Sequence, residues 1–196
     1  MAYRIKPEPT FAEEAGIKLA DRPAALYQLL VLATLLSARI SAAVAVAAAR
    51  ELFAAGYRTP DAMLTASWQD RVDALGRGHY RRYDERTATM LGDGAQLCKE
   101  RWRGDLRRLH REGDGDTRAL RRLLTEFPGI GPTGADIFLR EVQGVRPDVA
   151  PYVDRKVAAG AKKLSLPSSA EAIARMGPRK ELPRIASALV REALRR

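Results

Sequence analysis

The stretch PGIGPTG, Pro128 to Gly134, sets two glycines one residue apart, Gly129 and Gly131, between segments that read as helices. Glycine can take positive φ and leaves no side chain in front of its amide, so the N–H groups of such a turn can face a ligand. Pro132 can open the helix that follows, and the dipole of that helix adds positive potential behind the same amides. Such a group suits a phosphate oxygen, contacted without reference to base sequence. Ile130 would then point inward and hold the loop on its own helices. The same residues would also make an ordinary helix–helix turn. Elsewhere, Arg39 ends the run LLSAR, and GHYRRY sets His79, Tyr80 and Tyr83 among arginines. Aromatics beside arginines suit base stacking or phosphate contact. Tyr83 suits a core position equally well, and His79 reads as a surface histidine. Asp154, just before Arg155, can cap a helix beginning there.

The segments that must position these groups all read as helices. Asp21 with Pro23 starts one that is apolar nearly all round, from about 23 to 37, and therefore central. SARIS supplies a kink or short loop before an alanine-rich helix from about 42 to 55, ended by Gly56. Thr59 and Pro60 begin a short helix to about 65, and 67 to 74 reads as another. Residues 84 to 102 have helical spacing, and REGDGD reads as a loop. From Thr117 the positions Leu120, Leu123, Leu124 and Phe127 recur at three- and four-residue steps until Pro128 ends the helix. The helix opened by Pro132 would bury Ala135, Ile137 or Phe138, and Val142. Further helices are predicted over 154–164, 168–176 and 182–196. No run alternates with period two, so the fold class is all-α, with no repeat of fixed period and no disordered tract beyond the first dozen residues.

The chain has 196 residues, 46% of them hydrophobic, enough for one large domain or two small lobes. Its formal charge is +10, and from 155 to 196 eleven Lys or Arg stand against three Glu, a net +8. That balance draws the chain to polyanions, with nucleic acid first among them. One cysteine, Cys98, excludes an intramolecular disulfide and a Cys-rich metal site, and fits a reducing compartment. The apolar stretch from Leu26 to Ala49 is interrupted by Gln28, Ser37, Arg39 and Ser41, which argues against a membrane span. MAYRIKPEPTF has prolines where a signal peptide needs an apolar core, so a cytoplasmic protein is expected, nucleoid-associated if bacterial.

LLTEFPGIGPTGADIFL resembles the helix–hairpin–helix motif of the endonuclease III (HhH-GPD) superfamily of DNA glycosylases. PYVDRKVAAGAKKLSL resembles the segment where those enzymes place a Val-Asp pair followed by a helix. LLVLATLLSARIS is similar to their early LLSAQ helix end, and YDERTATML to their YxxKAxxI helix. Order and approximate spacing agree from about Leu26 to Leu166. The resemblance implies a two-lobed helical fold with a DNA-binding cleft between the lobes. On that pattern 1–22 closes onto the second lobe, 23–127 forms a helical lobe, and 128–196 carries the hairpin continuation and the C-terminal basic helices. It also implies double-stranded DNA as partner, held mainly through backbone phosphates by Gly129, Ile130, Gly131, Thr133 and Gly134. A monomer is expected, with no cofactor and no metal apart from a monovalent cation that relatives often hold through hairpin carbonyls.

Asp154 matches the family carboxylate that stabilises cationic character at the sugar as the glycosidic bond breaks. A carboxylate near the anomeric carbon favours an oxocarbenium-like transition state. Arg39 falls where the family often has a glutamine that enters the duplex, so it reads as a plug or phosphate anchor, with Tyr80 and Tyr83 as companions at a base pocket. The departures are as informative. Bifunctional relatives carry a Schiff-base lysine where Thr133 stands, and Thr has no amine; Lys156, Lys162 and Lys163 follow Asp154 closely. The four-cysteine iron–sulfur cluster of many relatives cannot be built, and the terminal helix would close that lobe with Leu182, Ile185, Leu189 and Leu194. Between Thr133 and Asp154 the loop is longer than the family's commonest, with GVRPDVAP to absorb the excess. The implied activity is a monofunctional DNA N-glycosylase that uses Asp154. The alternatives are a non-catalytic helix–hairpin–helix DNA-binding protein of the same descent and a scaffold for other repair proteins.

Overall fold

The computed structural model describes residues 5–195, all helix, turn or coil, with no strand among them. Twelve α-helices follow in order: α1 (Phe11–Glu14), α2 (Pro23–Leu36), α3 (Ala42–Ala54), α4 (Pro60–Thr65), α5 (Trp68–Arg77), α6 (Asp84–Trp102), α7 (Leu106–Glu112), α8 (Thr117–Leu124), α9 (Pro132–Val142), α10 (Arg155–Lys163), α11 (Ala170–Ala174) and α12 (Leu182–Leu194). They form two compact units, one of residues 12–138 and one of residues 139–195 together with 5–11.

In the 12–138 unit α2 is the axle. A helix apolar on every side must be enclosed, and Leu29, Leu32 and Leu35 have no exposure at all. It packs on α3, α6 and α7. Ser37 ends it by returning its hydroxyl to the Ala33 carbonyl at 2.6 Å, and Ser41 caps α3 by accepting from the Val44 amide at 3.3 Å. Ala45, Ala48 and Ala49 of α3 are buried without side-chain bulk. α5 opens with a full capping box: the Ser67 hydroxyl accepts from the Asp70 amide at 3.0 Å, and the Asp70 carboxylate accepts from the Ser67 amide at 2.9 Å. Hydrogen bonding to the carboxylate from Ser67, its side chain first and then its main-chain amide, pulls the Asp70 carboxyl below its usual value.

α7 departs from the sequence reading. Arg111 and Glu112 of REGDGD are its last residues, and the loop is confined to 113–116. Seven residues give too few turns for a period to register, but Leu106 and Leu109 are buried and the Asp105 carboxylate caps the start, accepting from the Arg107 amide at 2.9 Å. The Arg107 guanidinium also donates to this carboxylate, Nε to Oδ1 at 3.0 Å, and is the main cause that lowers the Asp105 carboxyl pKa.

In the other unit α10 and α12 face each other across Val157, Ala161, Leu182, Ile185, Ala186, Leu189 and Val190, with Ile173 of α11 completing the core. Leu194, expected in that core, is 53% exposed, because it falls on the last turn of α12. Residues 5–11 are held on this unit as a strap. The Glu8 amide donates to the Arg184 carbonyl at 3.2 Å, Ser187 donates to the Pro9 carbonyl at 2.8 Å, and Arg191 lies over the Phe11 ring at 4.6 Å. Among the described residues no helix is long and apolar enough to cross a membrane.

Candidate functional site

The hairpin joins α8 to α9. Phe127, 2% exposed, stacks on Trp102 with centroids 5.3 Å apart, and the Trp102 indole donates to Glu112 at 2.7 Å, so the end of α8 is fixed before the turn begins. Gly129 has φ +83°, a conformation that alanine would adopt only under strain. Ile130 is buried, and its amide donates to the Phe127 carbonyl at 3.1 Å. Gly129, Gly131 and Thr133 are exposed, and among the described residues no hydrogen-bond acceptor is recorded for their amides. Gly134 is buried instead: a Cβ there would collide with the Ser37 hydroxyl and come within 3.1 Å of Ile130, so its role is to let α9 lie against the end of α2. Across the hairpin, Arg121 of α8 and Asp136 of α9 form an ion pair, Nε to Oδ1 at 2.8 Å.

Beside the turn, in the same unit, lies a cavity of about 280 Å³ lined by Thr34, Ser37, Ala38, Arg39, Tyr83, Arg86, Thr87, Met90 and Gly129. Three helix ends make it: the close of α2, the opening of α6 and the hairpin. Tyr83 is half-buried on its wall, with the Arg82 guanidinium 5.2 Å from its ring centroid. Tyr80 is fully buried and does not line the cavity. Its hydroxyl and the Thr87 hydroxyl are 3.4 Å apart, and burial raises its pKa. The reason lies in the end of α5. His79 takes φ 63°, and the amides of His79 and Tyr80 donate to the carbonyls of Gly76 and Leu75, both at 3.0 Å. This Schellman closure turns Tyr80 back onto Leu75 and leaves His79 exposed.

Asp154 belongs to the other unit and is the N-cap of α10. Its Oδ1 accepts from the Lys156 amide at 2.7 Å and the Val157 amide at 3.0 Å. Its Oδ2 accepts from Arg140, Nε at 2.8 Å and Nη2 at 2.6 Å. The two side chains are 3% and 5% exposed. The capping role offered by the sequence is therefore present, and the arginine partner was not foreseen. Gln143 completes the frame: its Oε1 accepts from the Tyr152 amide at 2.9 Å and its Nε2 donates to the Arg140 carbonyl at 2.9 Å. The signal for Arg140 and Glu141 is their place among the apolar positions of α9, with Gln143 directly after its end, where a buried polar residue must find a partner.

The residues present do not fit a four-thiolate cluster. Cys98 is buried in the 12–138 unit, and its thiol is pushed up to about 12, first by burial and then by the Asp105 charge.

No protein-family model matches the sequence, and no curated protein matches it. Among solved structures, the chain is similar to a trapped covalent endonuclease III–DNA intermediate, an estranged-adenine complex, with TM-score 0.52 and 20% identity over 92% of this chain and 81% of that one. It is similar to a non-covalent endonuclease III–DNA complex with TM-score 0.52 and 19% identity over 92% of this chain and 80% of that one. The chain has an endonuclease III-like, all-helical fold.

Proposed function

We propose that the protein is a monofunctional DNA N-glycosylase that acts on duplex DNA carrying a damaged or mispaired base. The observation that carries this reading is the hairpin: Gly129, Gly131 and Thr133 are exposed at the turn and first residues of α9, with Gly129 also lining the adjoining cavity. Amides backed by a helix dipole hold phosphodiester oxygens. A cavity of this volume admits an unstacked base, with the Tyr83 ring and Met90 for its faces and Arg39, Arg86 and Thr87 for its polar edges. The fold likeness to DNA-bound endonuclease III supports the same partner.

In the proposed reaction the C1′–N bond breaks with its electron pair leaving on the base, which takes up a proton. Water adds to C1′ and loses a proton, giving an abasic site. Asp154 supplies negative charge for the oxocarbenium-like transition state. Thr133 cannot form a Schiff base, so no covalent enzyme–DNA intermediate arises there.

The test is a panel of singly damaged duplexes treated with alkali to reveal abasic sites, with and without borohydride. Asp154→Asn should abolish base release and leave duplex affinity nearly unchanged at temperatures where the variant is folded. Unaltered release by that variant overturns the assignment of Asp154, and a borohydride-trapped adduct overturns the role of Thr133. Full duplex binding with no release from any lesion selects the non-catalytic DNA-binding reading.

A further inference from the structure

A carboxylate offers about four lone-pair directions, and at Asp154 all four are taken. The two oxygens have different partners. Oδ1 is held by two main-chain amides of α10, which fix the carboxylate in place. Oδ2 is held by Arg140 alone, through Nε and Nη2. The cap therefore positions Asp154 without Arg140, and what Arg140 does is fill and neutralise the one oxygen that could face a developing cation. The main chain at Arg140 is itself pinned by Gln143, whose side chain also holds Tyr152. Release of Oδ2 thus needs rotation of one side chain and no movement of the helix.

We infer that Arg140 is a positioning residue that latches Asp154 in the free protein and gives up Oδ2 when duplex DNA binds, its guanidinium passing to a backbone phosphate. The inference rests on the proposed glycosylase reading. Phosphate is the suitable acceptor because it takes the same two-pronged arginine contact as a carboxylate and carries the charge needed to compete for it. The latch would keep a buried carboxylate paired until a substrate is present.

The variant that tests it is Arg140→Lys, which keeps the charge that a buried Asp154 requires but cannot place two donors on one oxygen. A merely structural arginine predicts that base release, duplex affinity and thermal stability fall together. The latch predicts a split: single-turnover base release rises about tenfold while duplex affinity falls severalfold, since a phosphate contact is weakened. Release that is unchanged or slower than in the wild type overturns the latch. If neither protein releases a base from any lesion, the Arg140 Nε–H resonance, assigned by its loss in Arg140→Lys, decides with undamaged duplex. A shifted resonance in the saturated complex supports the latch, and an unshifted one overturns it. A spectrum unchanged throughout means that no duplex binds, which removes the glycosylase reading and the latch together.

Discussion

The two hairpin glycines should respond differently to the same added methyl. Gly129→Ala must hold φ near +83°, at a cost of about 1–2 kcal/mol for an L-residue in the left-handed region. Its Cβ would also stand 2.7 Å from Met90 Sδ and 3.2 Å from Thr34 Cγ2. Met90 can swing aside for about 0.5–1.5 kcal/mol of rotamer strain, whereas Thr34 is tied to the Leu30 carbonyl at 2.9 Å and yields less. The sum is roughly 1.5–3.5 kcal/mol, which lowers the melting temperature by about 3–14 °C at this chain length. Gly131→Ala meets no atom within 4 Å and has no left-handed φ, so its stability should stay within about 0.5 kcal/mol of the wild type. Its methyl nevertheless enters open space at the exposed turn. If the amides of that turn hold phosphates, Gly131→Ala should bind every duplex sequence more weakly, with the slope of log affinity against log salt little changed, because a neutral amide displaces no counterion. Denaturation curves and duplex titrations over a salt series measure both quantities. Gly131→Ala with unchanged affinity at every salt concentration would refute the phosphate role and leave the turn as structure alone, and Gly129→Ala with wild-type stability would refute the conformational reasoning.

At the end of α5, His79→Gly should raise stability by about 0.5–1 kcal/mol, because φ 63° strains histidine and suits glycine; a melting temperature at or below the wild type would count against it. Cys98 gives a pH dependence with a definite sign. Burial raises the thiol from 9.0 to about 12, so the unfolded chain loses its proton first, and the thiol's contribution to stability is present below about pH 9 and falls as pH rises towards 12. Between about pH 9 and 11 the wild type should therefore lose more stability than Cys98→Ala, as equilibrium denaturation reports, and iodoacetamide should label the native thiol far more slowly than the unfolded one.

The elements that the sequence shows best are those whose pattern is local. Pro23 and an all-apolar run mark α2, although its N-cap is Arg22, without a side-chain cap bond, rather than the expected Asp21; Pro128 with the two glycines marks the hairpin, because turn chemistry and helix period act within a few residues. α7 escaped because seven residues hold too little of a period, and the polar–Gly run after it masks its end. Tyr80 and Tyr83 look alike in GHYRRY, yet one is enclosed and the other lines the cavity. That choice is set by the left-handed turn at His79, which composition does not reveal. Arg39 does line the cavity, but Thr34, Arg86, Thr87 and Met90 come from α2 and α6, which are distant in sequence. For Asp154 the cap is legible from the following residues, whereas the Arg140 partner is a tertiary fact 14 positions away.

The longer loop between α9 and α10 need not displace Asp154. Loop-closure entropy grows only slowly with length, so extra residues are tolerated when both ends are fixed. Here each end is fixed more than once. Arg140 on the last turn of α9 and Gln143 just beyond it hold Asp154 and Tyr152, and the Glu141 carboxylate accepts from the Phe11 amide at 3.0 Å, tying the same helix end to the N-terminal strap. Within this unit these polar anchors and the apolar α10–α12 core do the work of holding the α10 cap in register. The resulting dependence is specific: the position of the carboxylate follows from main-chain amides of α10, while its accessibility follows from a single arginine. A change in the middle of GVRPDVAP should therefore leave the cap intact, whereas loss of Gln143 should loosen Tyr152 and the Arg140 main chain together.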